Sequence, residues 1–468
     1  MTNYISKIMN AFKNMTLNAE GVDSELNSLI LKRDIWKAIS LMDNNDEEVD
    51  KAIREYNPQT HDVMHRRNKY REDDEPYITE KLPRTRARYI NEIELFFLLG
   101  KPIEWKLRRG DEEAYAMFTQ YLEGMHFNSR IRQAKRLAGS EIESAIIFNL
   151  TNAGGKVQSK SFVASRSKGY RLRPMFDQYG DLVALAYGYR LKENGKNVLH
   201  YDILTSQYTH FCAYKNSGWE VDTFPNITGK INAIYFHQKK AWDGVVPRLN
   251  REEMLDSKIG DTNNYFADPM AAATADVIDS LAEPDKPGRL IQLSGQNSKF
   301  EYINPPQNSE TRNAEMKNLS SSILFDTFTP DFSYENMKGL GTLSGTAMRN
   351  ALILGYIKRD ILKETYEELV RRLANVILAI LKVEHPEMAK KFDELRIDFE
   401  FAEPFNDDKK NTWNSIAQLF SAGVISLETA VKMLALTDAP DDEVALIKMF
   451  GIEQTLAAQG GEEKNENT

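Results

Sequence analysis

At 468 residues the chain is long enough for two to four domains, each with its own core. A net charge of −9 with 41% hydrophobic residues fits a soluble acidic protein and argues against an isolated nucleic-acid clamp, which would be basic; a surface that DNA slides past is compatible, because repulsion prevents sticking. The single cysteine, Cys212, excludes an intramolecular disulfide and a cysteine metal cluster, and the longest apolar run, Leu373–Leu381 interrupted by Asn375, is too short to span a membrane.

Residues 1 to about 150 read as mainly helical. Tyr4, Ile5, Ile8, Phe12 and Met15 share one helical face suited to docking on the body or a neighbour, and no signal-peptide core is present, so a cytoplasm-like compartment is expected. Leu26, Leu29, Ile30, Ile35 and Ile39 mark one helix, and Thr85–Leu99 marks another that ends at Gly100, ahead of Pro102. Two basic clusters, His65–Arg71 and Lys81–Arg88, suit phosphate contact or an acidic neighbour; interleaved charges on solvated helices give the same count. His61 and His65 stand four apart, as two metal-ligating imidazoles would. They lack the glutamate of an HExxH motif and a third ligand, so no metal site is expected.

From Glu141 to about Gln238 the apolar period changes to two. Ile146–Asn149, Leu182–Arg190, Asn197–Leu204, Tyr208–Tyr214, Trp219–Phe224 and Ile231–Phe236 read as strands of one antiparallel sheet, separated by turns such as Asn152–Gly155 and Glu193–Gly195, with Cys212 a buried small residue. The class is therefore α+β, predominantly helical.

Asn250, with Glu253 three residues on, predicts a helix cap, and Leu255, Ile259, Thr262 and Phe266 follow as a narrow stripe for helix–helix packing. Asp268–Pro269 opens a short helix to about Glu283, and Arg289–Leu293 with Lys299–Ile303 alternate as a hairpin. A polar helix from about Asn308 to Phe328 carries Met316, Leu319 and Ile323. The Gly-rich loop Thr329–Leu343 then leads to a long helix from near Ser344 to the approach of Pro386, apolar at Ile357, Ile361, Tyr366, Leu369, Leu373, Val376 and Ile380. About forty residues make a rod of roughly 60 Å, a spine on which the loop is anchored. Leu395–Glu403 is a strand too short to stand alone and must return to the earlier sheet, making the first domain discontinuous. Helices at about Asp408–Ala422 and Ser426–Leu434 and one starting near Asp441 precede a polar tail, Gln459–Thr468, expected to be disordered.

No catalytic chemistry emerges. Gly339–Gly345 (GLGTLSG) suggests a phosphate-cradling turn, but no strand leads into it and no Gly-Lys-Ser/Thr follows. The acidic pairs Asp73/Asp74, Glu112/Glu113 and Asp407/Asp408 are adjacent in sequence and point apart on a helix, so they are poor two-metal candidates. No catalytic residue, cofactor or metal is expected. The alternatives are a metal-dependent nuclease or other DNA-processing enzyme, with carboxylates converging from several elements, or a small-oligomer helical scaffold or adaptor.

The order of elements and several short motifs resemble the portal proteins of tailed double-stranded DNA bacteriophages, of the siphovirus type. The resemblance covers nearly the whole chain. It rests on Phe96–Ile103 (FFLLGKPI), Gly229-Lys230-Ile231, Thr329-Pro330-Asp331, Leu343–Met348 (LSGTAM) and Gly423–Thr429 (GVISLET); Asn232 departs from the proline frequent after the second of these. It implies a wing domain of residues 1–245 plus 384–406, stem helices at 249–266 and 308–328, and a clip domain at 267–307. It further implies a tunnel loop at 329–343, a spine helix at 344–383, a crown at 407–456 and a disordered tail at 457–468. Leu255, Ile259, Phe266, Met316, Leu319 and Ile323 are the expected stem-packing residues. Tyr334, Asn336, Lys338, Gly339 and Gly341 are the expected DNA-facing residues of the tunnel loop, contacting the backbone without reading sequence and permitting a change of shape. The implied function is that of a viral portal protein, the head–tail connector. It is a ring-shaped homo-oligomer, expected as a dodecamer, forming a DNA translocation channel for DNA packaging and genome ejection. The implied partners are double-stranded DNA, the terminase large subunit, a head-completion or adaptor protein, and the major capsid and scaffolding proteins, with no membrane. The implied location is one vertex of the capsid in the virion, and the host cytoplasm during assembly.

Overall fold

The structure is a computed structural model that describes residues 25–70, 76–153, 156–193, 195–267, 271–274, 277–278, 293–294, 299–302, 309–333, 338, 350, 352–405, 409–434 and 439–450. The chain divides into two compact units, Met1–Lys338 with Leu352–Pro404, and Gly339–Ala351 with Phe405–Thr468.

The first unit opens with helices α1 (25–31), α2 (Ile35–Ser40) and α3 (Asp46–Tyr56), then two 3-10 turns (Pro58–Thr60 and Asp62–His65) and the short pair β1 (Lys69–Tyr70) and β2 (Pro76–Tyr77). Next come α4 (Arg86–Leu99), β3 (Ile103–Arg109), α5 (Glu112–Gly124) and α6 (Phe127–Glu141). Eight strands follow: β4 (Glu143–Ala153), β5 (Lys156–Ala164), β6 (Arg171–Phe176), β7 (Leu182–Glu193), β8 (Lys196–Thr205), β9 (Tyr208–Lys215), β10 (Gly218–Pro225) and β11 (Ala233–His237). They form two antiparallel sheets where one was expected: a meander in the order β10-β9-β8-β7-β6 and a three-stranded sheet β11-β4-β5. Sequence reading missed β5 and β6. The polar Lys156–Ser161 stretch has little strand propensity of its own and is recruited by pairing with β4. Pro174 argues against a strand, yet β6 is a sheet edge, where proline is tolerated.

The next elements are α7 (Val246–Ala267), β12 (Ala271–Thr274), β13 (Val277–Ile278), β14 (Leu293–Ser294), β15 (Lys299–Tyr302), α8 (Ser309–Asp326), α9 (Ile353–Glu384), α10 (Ala389–Glu394) and β16 (Arg396–Phe401). Packing arranges the unit in four layers. Leu26, Ile30, Ile35 and Ile39 cover one face of the five-stranded sheet, where Cys212 is buried and its thiol pushed up to about 12 by that burial. Ala145, Ile147, Ala164 and Tyr235 of the three-stranded sheet pack on Leu172, Leu185 and Leu204 of the larger one. The alternate residues Ile146, Phe148, Val163, Ile234 and Phe236 face α4, α5, α6 and α9. A strand buried on both faces reads as a continuous apolar run, hence Ala145–Phe148.

Four expectations need correction. Helix α7 starts at Val246 and not at an Asn250 cap, because Pro247 fits a first turn that needs no donor there; Asn250 instead donates to Asp62 Oδ2 at 2.9 Å. The stretch expected as a helix from Asp268 to Glu283 contains strands β12 and β13. Helix propensity is worth only tenths of a kcal/mol per residue, about 0–0.7, so strand pairing overrides it. The expected hairpin strands are not mutual partners: Lys299–Tyr302 pairs with Ala271–Thr274, and Leu293–Ser294 with Val277–Ile278. Strand β16 joins β3, in a sheet of its own, matching Ile397 to Leu107, Phe399 to Trp105 and Phe401 to Ile103 across the ladder.

The described part of the long helix, α9, is 32 residues, about 48 Å at the usual rise; its expected start near Ser344 lies outside the described residues. Tyr366, Leu373, Val376 and Ile380 are buried as expected, whereas Ile357 and Ile361 are exposed, because the first turns bury Gly355, Tyr356 and Arg359 instead. A Cβ on Gly355 would come within 2.3 Å of the Phe97 ring. The helix therefore carries glycine where propensity alone would disfavour it.

In the second unit, α11 (Lys409–Ser421), α12 (Leu427–Leu434) and α13 (440–450) bury Ile416, Ala430, Val431 and Val444. Gly423 adopts φ 71° beyond α11, and the Val424 N–H reaches back to Leu419 O at 2.9 Å, a left-handed helix stop. The Ser426 hydroxyl then caps α12 by accepting from the Thr429 N–H at 3.2 Å. The tail expected to be disordered lies outside the described residues.

Three helices of the first unit meet at Glu94 of α4. Its buried carboxylate pairs with Lys135 of α6, which is fully buried, and with Lys358 of α9 at 3.0 Å, and accepts from Gln238 Nε2 at 2.8 Å. Gln238 in turn accepts from the Tyr366 hydroxyl at 2.8 Å. Burial alone would raise the Glu94 pKa; the two ammonium groups overcome it and hold the carboxyl at about 2. Replacement Glu94→Gln leaves two buried cations without a counter-charge and is expected to destabilise the unit by about 3–5 kcal/mol. Denaturant unfolding checks this; an unchanged midpoint would contradict the assigned role.

Candidate functional site

The paired helices α7 and α8 carry the expected stem-packing residues. Leu255 is buried, Ile259, Met316 and Leu319 are half-buried, and Ile323 is fully buried against Ala87, Ile90, Trp242 and Val245 at the base of the pair. Phe266 lies in the last turn of α7, and its side chain falls outside the described residues. Arg251 pairs with Glu315 at 2.7 Å and Arg248 with Asp326, so the helices run antiparallel.

The other face of α7 was not legible as a contact face. Glu253, Ser257 and Asp261, four residues apart, accept from the backbone N–H groups of Arg84, Leu82 and Glu80 at 2.8, 2.9 and 2.7 Å. Alternate residues of an extended chain rise about 6.6 Å, and every fourth helical residue about 6.0 Å, so the two periods match. Pro83 and Lys81 occupy the intervening positions, where no donor is used by the helix. Side chains reinforce the seam: Arg84 reaches Glu252 and Asp256, Arg66 reaches Asp261 at 2.6 Å, and Arg86 bridges Glu252 at 3.1 Å to Ser320 of α8 at 2.8 Å. Of the readings open for the two basic clusters, the acidic neighbour accounts for Arg66, Arg84 and Arg86. The spacing E-x-x-x-S-x-x-x-D was the available signal.

His61 closes this seam. Its Nδ1 lies 2.7 Å from Glu253 Oε1 and its Nε2 2.9 Å from the Glu55 carbonyl oxygen. Both partners only accept, so the doubly protonated ring satisfies both. Burial would lower its pKa, but the Glu253 carboxylate outweighs burial and raises it. The His61 ring is thus engaged by Glu253 and Glu55, and no group of three or more His, Cys, Asp or Glu side chains placed to hold a metal ion occurs among the described residues. Of the acidic pairs, Glu112 and Glu113 lie in the first turn of α5, while Asp73/Asp74 and Asp407/Asp408 fall outside the described residues.

Beyond α8 the chain turns sharply. Phe328 adopts φ 49°, and the Thr329 N–H returns to Leu324 O at 2.8 Å. The Tyr89 hydroxyl of α4 then donates to Pro330 O and accepts from the Phe332 N–H, both at 2.8 Å. Two turns along α4, the Phe97 ring stands 6.4 Å from Phe332 and 5.5 Å from Tyr356, centroid to centroid. Of the expected DNA-facing residues, Lys338 is exposed; Tyr334, Asn336, Gly339 and Gly341 lie outside the described residues. Tyr89 was missed because nothing in the local pattern of Thr85–Leu99 distinguishes a tyrosine that bonds a distant backbone from one on a solvated face.

Residues 37–454 match the family described as phage portal protein, SPP1 Gp6-like. The chain belongs to this family, and its role is that of a portal vertex protein through which DNA passes; the family is structural. No curated protein matches the sequence. Among solved structures, similar chains occur in the neck of the native gene transfer agent particle computed with C12 symmetry (TM-score 0.37, 11% identity, covering 75% of this chain and 88% of that one). Others occur in the virion of the native gene transfer agent particle (TM-score 0.38, 11% identity, 84% and 94%).

The His61 pair predicts a pH dependence. A raised folded-state pKa gives stability that is fully present below the unfolded value of about 6.5 and is lost as pH rises through the folded value. The stability difference between wild type and His61→Gln, measured by urea unfolding from pH 5.5 to 9, is expected to be largest at the acid end and to shrink with rising pH. A constant difference would show that the imidazolium makes no such contribution.

Proposed function

We propose that copies of this chain close side by side into a ring, expected as a dodecamer, at one capsid vertex of the virion, around a channel for double-stranded DNA. The observation that carries this reading is the pair of antiparallel helices α7 and α8, α7 being held along Glu252–Asp261 by a polar seam, with residues 268–308 between the helices. Paired rods whose register is fixed suit a channel wall. In this reading 249–266 and 308–328 are the stem and 267–307 the clip, where the terminase large subunit and later a head-completion or adaptor protein dock. Residues 1–245 with 384–406 are the wing, 344–383 the spine and 407–456 the crown, with capsid and scaffolding proteins as further assembly partners. Residues 329–343 are the tunnel loop, whose Tyr334, Asn336 and Lys338 touch the sugar-phosphate backbone without reading sequence. Repeating one head-to-tail contact closes such a ring when its rotation permits.

Mass and mutation test it. Twelve copies of the 53.6 kDa chain weigh about 640 kDa, readable by light scattering or negative-stain microscopy. Ile259→Asp, which places a charge in the stem seam, is expected to abolish rings while monomers stay folded; unchanged rings would refute the seam. Deleting Ser333–Leu340 is expected to leave rings intact and to impair packaging or genome retention. Normal DNA handling by that variant would remove the tunnel-loop assignment.

A further inference from the structure

The chain leaves the first compact unit after Lys338 and re-enters it at Leu352. Both crossing points are gripped by one helix. On the outgoing side, the Tyr89 hydroxyl spends its donor on Pro330 O and an acceptor site on the Phe332 N–H. The neighbouring polar groups are also engaged: Thr327 and Thr329 share a hydroxyl bond at 2.9 Å, and Asp331 Oδ1 accepts from the Ser333 N–H at 2.9 Å. On the returning side, Leu352 is buried, and Gly355 lies so close to the Phe97 ring that a Cβ there would stand 2.3 Å from it. The same ring stands 6.4 Å from the Phe332 ring, centroid to centroid. Tyr89 and Phe97 are eight residues apart, roughly 12 Å along the helix. Four residues on from Ile90 and three before Phe97, the same helix carries Glu94, fixed by Lys135 and Lys358.

We propose that Tyr89 and Phe97 are the positioning residues of the portal's tunnel loop: the hydroxyl pins the outgoing root, the ring packs against both roots, and helix α4 transmits any pull on the loop to the buried Glu94 cluster. This rests on the tunnel-loop reading above, and neither residue contacts DNA. Burial raises the Tyr89 pKa above the ordinary tyrosine value, so the hydroxyl remains a donor throughout the physiological range. The groups bonded are backbone atoms, so the hydroxyl fixes the chain path at Pro330 and Phe332.

The test is Tyr89→Phe in the full chain, which keeps the ring and removes both bonds. Ring mass and the thermal midpoint are expected to stay close to wild type. Limited tryptic cleavage after the exposed Lys338, followed by mass spectrometry on assembled rings, is expected to accelerate about five- to thirtyfold, the factor that one or two lost hydrogen bonds allow. DNA packaging or retention is expected to fall with it. A second variant, Gly355→Ala, pushes the Phe97 ring from the returning root and is expected to raise cleavage at the same bond. Unchanged cleavage in both variants overturns the proposal whatever happens to DNA. Faster cleavage with normal packaging and retention overturns it differently, because the roots are then gripped as described but the loop they hold does not handle DNA.

Discussion

The Glu94 carboxylate is the point at which three helices of the first unit are joined. It ties α4 to α6 through Lys135 and to α9 through Lys358, and Gln238 extends the contact to Tyr366 further along α9. A dry apolar junction of the same three helices would hold as tightly, since replacing buried ion pairs by well-packed hydrocarbon is often neutral or stabilising. What an apolar junction lacks is direction. One carboxylate with three donors has few acceptable arrangements, and Gly139, whose Cβ would collide with Asn91 Oδ1 at 2.0 Å, lets α6 approach α4 closely enough for them to form. Burial draws the Lys135 pKa down, while Glu94 stays ionised because two ammonium groups flank it.

A second directional device sets the register of α7. Sliding α7 by one residue would shift it about 1.5 Å and rotate its acceptors about 100°, which takes Glu253, Ser257 and Asp261 away from the three N–H groups they serve. Each buried polar group left unsatisfied costs about 1–3 kcal/mol, whereas a slipped apolar seam re-forms most of its contacts. The seam thus fixes register more strongly than it adds affinity. It also absorbs charge: in a chain of net charge −9, Glu252, Glu253, Asp256 and Asp261 are matched internally by Arg84, Arg86, Arg66 and His61.

These two devices mark the limit of what the sequence made legible. Long periodic elements could be read: α4, the meander from Leu182 to Phe224, α8 and the body of α9 all follow from apolar spacing. The motif order was enough to indicate the family that residues 37–454 match. Polar recruitment could not be read. The strand β5 is Ser- and Lys-rich and exists because β4 offers it a ladder; the seam on α7 uses residues that any solvated helix face could carry; and β12 has an alanine run that reads as helix until its partner at Lys299–Tyr302 is known. In each case the deciding interaction joins residues far apart in sequence, which periodicity within one window does not register.

The placement of Gly355 and Pro174 shows how such long-range decisions still leave local traces. A glycine near the start of a helix that is otherwise rich in good helix formers gives up about 1 kcal/mol relative to alanine, and a proline in a strand forfeits a ladder bond. Neither is explained by its own element. Gly355 is explained by the Phe97 ring from α4, against which overpacking by a methyl group would cost about 1–3 kcal/mol and so outweigh the propensity gain. Pro174 is explained by its position on the terminal strand of the larger sheet, where no further strand requires its missing N–H. A residue that violates the preference of its own element therefore points outward, to the neighbour that makes the violation favourable. In this chain the neighbour of Gly355 is the helix that also holds Pro330 and Phe332, so the anomaly in α9 and the clamp at the end of α8 both rest on α4, one through the Phe97 ring and the other through the Tyr89 hydroxyl.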